Sequence, residues 1–192
     1  MGRLDDAKLL GGIGSILIIL SLIPYAGVVI GIVGLVLVLI AVKYISDYLK
    51  DRSIFNNMLI SVILSIVGTA VISYLLLLWF IMGSLLGFGS VIQGAAASDF
   101  FTSTLIAILL GIVVIWIFLL VSALFIRRSY GAIANKLGIS LFNTVSLLYI
   151  IGAALTIVLI GFIIVFVAVI LQAVAFFSIE EPRLDEAPKV PE

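Results

Sequence analysis

The chain has no cysteine and no histidine, and only 10% of its 192 residues are charged. Without cysteine there is neither a disulfide framework nor thiol chemistry. Without histidine, a serine hydrolase with a His base cannot be assembled, nor can a zinc site of the usual His-rich kind. Ten basic residues balance ten acidic ones. They fall in small clusters, so no basic face is offered to nucleic acid. Proline is scarce too, with one near the amino terminus and three in the last dozen residues.

What fills the chain is apolar: 65% of it is hydrophobic, against roughly half in soluble domains. A chain this short buries at best about 70% of its unfolded surface by folding. The remainder calls for a lipid solvent, and the expected fold class is all-α, a polytopic transmembrane helical bundle in one domain over residues 1–178.

A hydrocarbon layer about 30 Å thick takes about 20 helical residues. The first apolar run, Leu9 to Val42, is too long for one crossing, and Pro24 to Gly27 supplies a break. Helices are therefore expected at 9–23 and 27–42. A polar stretch, Lys43 to Asn57, precedes a third helix at 58–83; a loop at 87–102 leads to a fourth at 103–126. After the polar stretch Arg127 to Ser140, the last run must also turn, near Thr156 to Gly161, giving helices at 141–157 and 161–178. The arrangement is a hairpin, two long central spans and a second hairpin. Residues 179–192, with three prolines among charges, read as a disordered cytoplasmic tail. The amino-terminal run lacks a cleavage site and reads as a retained helix, and Asp6 defeats a myristoylation motif at Gly2.

Charge sets the expected topology. With both long runs folded back, all ten basic residues lie on one side, which basic residues near helix ends mark as cytoplasmic. Both termini are then cytoplasmic. Trp79, Tyr25, Phe100 and Phe101 would form an outer aromatic belt, and Tyr44, Tyr48, Tyr130 and Phe177 an inner one. Trp116 falls mid-helix and should pack on protein. Charge parity is blind to one matter, whether the two hairpins span or are re-entrant; spanning hairpins are favoured because a turn inside hydrocarbon exposes backbone.

Two weak internal similarities stand out. Ser53-Ile54-Phe55-Asn56 resembles Ser140-Leu141-Phe142-Asn143, each read as a serine N-cap followed by an interfacial phenylalanine. Setting Gly27 on Gly161 also brings Ala41 onto Ala175 and Ile45 onto Ile179.

Lys8 to Ser15 (KLLGGIGS), Ile23 to Gly27 (IPYAG), Leu159 to Ile164 (LIGFII) and Ala175 to Pro182 (AFFSIEEP) resemble an archaeal family of small integral membrane proteins, catalogued as domain-of-unknown-function family 996. The resemblance implies an archaeal plasma membrane. It carries no activity, cofactor or site residues.

No ionisable residue lies inside any expected span, and such residues are the usual mark of proton relays and voltage sensors. Asp47 and Asp51, four apart with Lys43 and Lys50 nearby, read as a salt-bridged helix end. Gly12-Ile13-Gly14-Ser15 has neither the strand nor the lysine of a phosphate loop, and reads as close packing. The remaining polar groups are hydroxyls and amides. Ser61, Ser65, Thr69 and Ser73 form one stripe on helix three. Asn143, Ser146, Tyr149 and Thr156 form another on helix five. The two could meet and line a path for a small neutral solute or an oxygen-coordinated cation, or serve as a packing seam. Gly27, Gly31 and Gly34 form a small-residue face on helix two, and Gln172, alone on helix six, should bond a neighbour. No catalytic residue, metal site or cofactor is expected. The leading expectation is a non-enzymatic interaction or assembly component, with the lipid bilayer, other membrane proteins or further copies of itself as partners; the alternative is a small channel or facilitator.

Overall fold

A computed structural model of the chain describes residues 3–23, 27–93 and 97–180. Those residues form six α-helices and no strand: α1 (Arg3–Leu20), α2 (Gly27–Tyr48), α3 (Arg52–Gln93), α4 (Ala97–Leu137), α5 (Ser140–Leu155) and α6 (Ile160–Phe177), with a 3-10 turn, Thr156–Val158, before α6. The chain is thus a helical bundle in the expected order, with a hairpin, two long helices and a second hairpin. Five of the helices are long and apolar enough to cross a membrane. The exception is α1, whose first two turns carry Arg3, Asp5, Asp6 and Lys8.

Each helix packs on its neighbours in the chain, and α6 closes the circle against α1. The packing is tightest where small residues let backbones approach. At the α1–α2 crossing a Cβ on Gly14 would lie 2.7 Å from the Gly34 carbonyl oxygen, and one on Gly34 would lie 2.6 Å from that of Gly14. Between α5 and α6, Gly152 and Gly161 meet in the same way. The suggested kinship of the two hairpins has a counterpart in burial, since Gly27 and Gly161, Ala41 and Ala175, and Ile45 and Ile179 are buried in pairs. The Ser-x-Phe-Asn similarity does not carry over. Ile54 is buried and Phe55 half-buried, whereas Leu141 is half-buried and Phe142 fully buried, so the two segments meet the core one residue out of step.

The hydrophobic core sits at one end of the circle, the end that carries the described basic residues. Its members come from the start of α1 (Leu4, Ala7), the end of α2 (Val42, Ile45), the start of α3 (Ile54, Met58), the end of α4 (Tyr130, Ile133), the start of α5 (Phe142, Val145) and the end of α6 (Phe176) with Ile179. At the far end the apolar surface is open. Val28, Leu22, Phe80 and Leu159 are each at least 69% exposed.

Several sequence expectations need correction. The loop expected at 87–102 is helical on both sides of residues 94–96, because no proline lies between residues 25 and 181 to stop either helix. The polar stretches are mostly helix as well: α2 runs through Lys43 to Tyr48, and α4 runs through Arg127 to Leu137. The expected tail begins too early, since Ile179 is buried in the core; the rest of it, from Glu181, lies outside the described residues. Neither serine is an N-cap. Ile139 occupies that position for α5, and for α3 the Ser53 amide donates to Asp51 Oδ1 at 2.9 Å. Asp51 therefore stands outside any helix and does not share a helical face with Asp47. Of the inner aromatic belt, Tyr48 and Phe177 are exposed and Tyr44 half-buried, but Tyr130 is wholly buried. Of the outer belt, Tyr25 lies outside the described residues, as do the side chains of Phe100 and Phe101.

Candidate functional site

The polar side chains of the apolar helices are the material from which a site could be built. On α3, four-residue spacing puts Ser61 and Ser65 on the side facing α4. There Ser122 Oγ lies 2.8 Å from Ser61 Oγ and 2.9 Å from Ser65 Oγ. The Ser61 carbonyl accepts from Ser65 Oγ at 3.0 Å and from Ser122 Oγ at 3.1 Å. Seven residues further along α4, Ser129 Oγ donates to the Ile54 carbonyl at 2.8 Å, a second tie between the same helices. The upper half of the α3 stripe drifts off the seam. Thr69 is exposed and bonds back to the Ser65 carbonyl at 2.8 Å, and Ser73 is exposed.

A second network joins the two hairpins. Tyr149 on α5 donates to Gln172 Oε1 at 2.7 Å. Gln172 Nε2 donates to Ser15 Oγ at 2.8 Å, and Ser15 donates to the Gly11 carbonyl at 2.7 Å. This directional chain of donors crosses α5, α6 and α1, and it gives Gln172 the neighbour its sequence position called for. The rest of the stripe bonds to α5 carbonyls: Ser146 to that of Asn143 and Thr156, in the 3-10 turn, to that of Gly152, both at 2.7 Å, while Asn143 is exposed. Trp116 packs as expected, donating its indole N–H to the Ala154 carbonyl at 3.1 Å.

The α3 and α5 stripes do not pack on each other, because α4 stands between them. They share instead one cavity of about 190 Å³, lined by Ser65, Ser122, Tyr149 and Thr156 with apolar residues that include Leu119 and Phe162. All four hydroxyls have an acceptor within the protein, at 3.1 Å or less. A solute there would meet lone pairs and hydrocarbon but no uncommitted donor. The small residues of α2 are likewise taken up inside the chain. Gly34 faces Gly14, and Gly27 and Gly31 face Ser21.

At the charged end three rings fill the middle of the bundle. Tyr130 stands edge-on to Phe142 and Phe176 at centroid distances of 5.5 and 6.3 Å, and the two phenylalanines stand edge-on to each other at 5.2 Å. Phe176 also covers Gly11, where any side chain would overlap its ring. The Tyr130 hydroxyl is buried without a hydrogen-bond partner among the described residues. An unsatisfied buried group costs about 1–3 kcal/mol, so Tyr130→Phe is expected to raise stability by up to that amount. Equilibrium unfolding in detergent reads the change, and a loss of stability would mean that the hydroxyl is serving an interaction.

At the same end an ion pair, Lys136 Nζ to Asp51 Oδ2 at 2.7 Å, ties the start of α3 to the end of α4. With hydrogen bonds from Lys136 and Ser53, the Asp51 carboxyl is held down at about 2, below its ordinary 3.8. A depressed carboxyl stabilises the fold above its unfolded value and stops doing so as pH falls through the folded one. The stability gap between the native chain and Asp51→Asn should therefore hold from neutral pH to near 4 and close between 4 and 2, as thermal unfolding across that range would show. The pair is exposed, so the gap should be small.

Sequence reasoning read Ser15 only as part of a close-packing segment and missed Ser122 and Ser129. The last two carry a signal that was available, a seven-residue spacing that keeps them on one face of α4. Among the described residues no group of three His, Cys, Asp or Glu side chains comes together.

Comparison with known proteins places the chain in a family without naming a chemistry. No solved structure matches the chain. It is 32% identical over 185 residues to the uncharacterized protein MJ1644 of Methanocaldococcus jannaschii, an alignment covering 96% of this chain and 97% of that protein. Residues 30–170 match the family model described as a protein of unknown function, DUF996. Matched over most of its length on both counts, the chain belongs to the DUF996 family.

Proposed function

We propose that this chain is a non-enzymatic protein of the plasma membrane, with both termini cytoplasmic, that serves as an interaction or assembly component. The observation that carries this reading is how the polar groups are spent. Among the described residues, the buried serines and the Gln172 amide bond to one another or to backbone, the Tyr130 hydroxyl is the exception, and the Tyr130, Phe142 and Phe176 rings fill the charged end. A conducting path needs polar groups that can stand in for hydration along its whole length. Here they are taken up in bonds between helices or back to carbonyls one turn earlier. The face left for partner helices is the outer half of α3 and α4, since the glycines of α2 already pack on α1.

The alternative, a facilitator for a small neutral solute or a cation, is favoured by one observation, the cavity on which Ser65, Ser122, Tyr149 and Thr156 converge. The two readings separate in purified proteoliposomes. The native chain should pass neither glycerol nor potassium faster than protein-free vesicles. The double variant Ser65→Val, Thr69→Val should lose stability by about 0.6–2 kcal/mol through the interhelical bond of Ser65 to Ser122, since Thr69 bonds only within α3. Flux through the native chain that the double variant abolishes with folding intact would establish the facilitator instead.

A further inference from the structure

The two long helices touch near the charged end and part further out. Ser61 and Ser65 bond to Ser122 across the seam, and a Cβ on Gly68 would lie 2.9 Å from that of Phe118. Beyond that contact the helices separate. At Gly111 on α4, nothing beyond its own helix backbone lies within 4 Å of an added Cβ among the described residues. The gap is a cleft of about 530 Å³, walled by Leu75, Leu76 and Trp79 on α3 and, on α4, by residues that include Ala107, Gly111 and Ile115. The Trp79 indole N–H is the one polar side-chain group in that lining. Between Arg52 and Arg127 the sequence has a single charged residue, Asp99.

Depth and width indicate what fills it. Counted along α4 from Arg127, Ile115 lies about 18 Å and Ala107 about 30 Å from the charged end. With roughly 30 Å of hydrocarbon in a bilayer, the cleft falls in the outer leaflet. From the Ser61–Ser122 bond, Trp79 is about 27 Å along α3 and Ala107 about 22 Å along α4, so Trp79 marks the outer end. Tryptophan at that depth ordinarily meets the headgroup region. The rim opens to the side, since Leu75, Leu76 and Leu110 are exposed. Apolar walls with nothing between them forfeit their packing contacts, so an apolar occupant is called for. Over the roughly 12 Å from Ile115 to Ala107, the volume amounts to a cross-section on the order of 40 Å². An α-helix about 10 Å across needs about 80 Å². An extended hydrocarbon chain, whose carbons stand about 4 Å from their neighbours, needs on the order of 20 Å².

From this we propose that the cleft between α3 and α4 is a lipid site: it holds the hydrocarbon chains of one outer-leaflet lipid, whose polar end lies at the level of Trp79. It is too narrow for a partner helix and wide enough for one or two chains. The small side chains of Ala107 and Gly111 set its width, and a larger group at position 111 would stand where the lipid chain runs. The proposal rests on the membrane reading above. It leaves Tyr74 and Phe80, exposed on α3 and outside the cleft lining, to partner helices.

Native mass spectrometry of the protein purified from membranes in mild detergent tests this with Gly111→Leu. Gly131→Leu is the control, the same change on the same helix at a site where an added Cβ also meets nothing, away from the cleft. The native chain and the control should each retain one lipid per chain, and Gly111→Leu several-fold less. A second measurement leaves the cleft itself unaltered. Trp116→Phe makes Trp79 the sole tryptophan, and a phospholipid with brominated chains, titrated into that delipidated variant in micelles, should quench Trp79 fluorescence and saturate near one lipid per chain. Equal retention by Gly111→Leu and the native chain, or quenching that rises without saturating, would overturn the proposal. A dimer mass without lipid, which Gly111→Leu splits, would overturn it while leaving the assembly reading standing. Release of the native chain from membranes without detergent would overturn the lipid site and the membrane reading together.

Discussion

Phe176→Ala is expected to cost about 3–5 kcal/mol, the range for deleting a large buried aromatic, a substantial part of the roughly 5–15 kcal/mol by which native folds are stable. The ring is fully buried at the charged end, touches both Tyr130 and Phe142 edge-on, and lies over Gly11 where α1 meets α6. Three contacts are lost together and no neighbour can swing in, because the facing position on α1 is a glycine. Unfolding of the purified protein by titrated denaturing detergent measures the loss. Phe177→Ala is the control: that ring is 40% exposed, and the same truncation there should cost markedly less.

A single methyl group added at the α1–α2 crossing should have the next largest effect. In Gly34→Ala the new carbon would stand 2.6 Å from the Gly14 carbonyl oxygen and 2.9 Å from the Ile18 amide nitrogen. Both are backbone atoms that can yield only by moving the helix. Overpacking of this kind costs about 1–3 kcal/mol. Gly14→Ala strikes the same crossing from the other side, so the double variant should cost less than the sum of the two. Gly111→Ala is the contrast. Among the described residues, nothing beyond its own helix backbone lies within 4 Å of its added carbon, and relief of glycine flexibility in a helix should stabilise by about 0.5–1 kcal/mol. The same chemical change is thus expected to carry opposite signs at positions 34 and 111, which detergent-resistance assays on the three variants would resolve.

The parts legible in the sequence were those set by local chemistry. Pro24 and the Thr156 to Gly161 segment mark the two reversals because run length demands a turn and those residues permit one. Trp116 could be read as packed on protein because it falls mid-helix, and Gln172 as bonded because an apolar setting leaves a lone amide no other state. What stayed hidden depended on tertiary arrangement. Apolar composition on every side of a helix says little about which face is inside, so the stripe from Ser61 could be drawn but not its partner, and Ser122 was missed. The core residues Tyr130 and Phe142 looked like interfacial anchors because aromatics beside basic residues usually are; here the basic side chains turn outward while the rings turn in. Gly87 and Gly89 fall where a loop was expected, yet isolated glycines only weaken a helix and do not stop it, and α3 runs through both. Asp51 looked like half of a helical pair because spacing alone cannot show where one helix stops and the next begins.

The account depends most on a bilayer covering the open apolar surface of α3, α4 and the hairpin tips. Washing membranes from expressing cells with alkaline carbonate tests it most directly. The chain should stay with the sedimented bilayer and enter solution only with detergent. Its release by carbonate as a dispersed monomer that remains soluble in plain buffer would contradict the account.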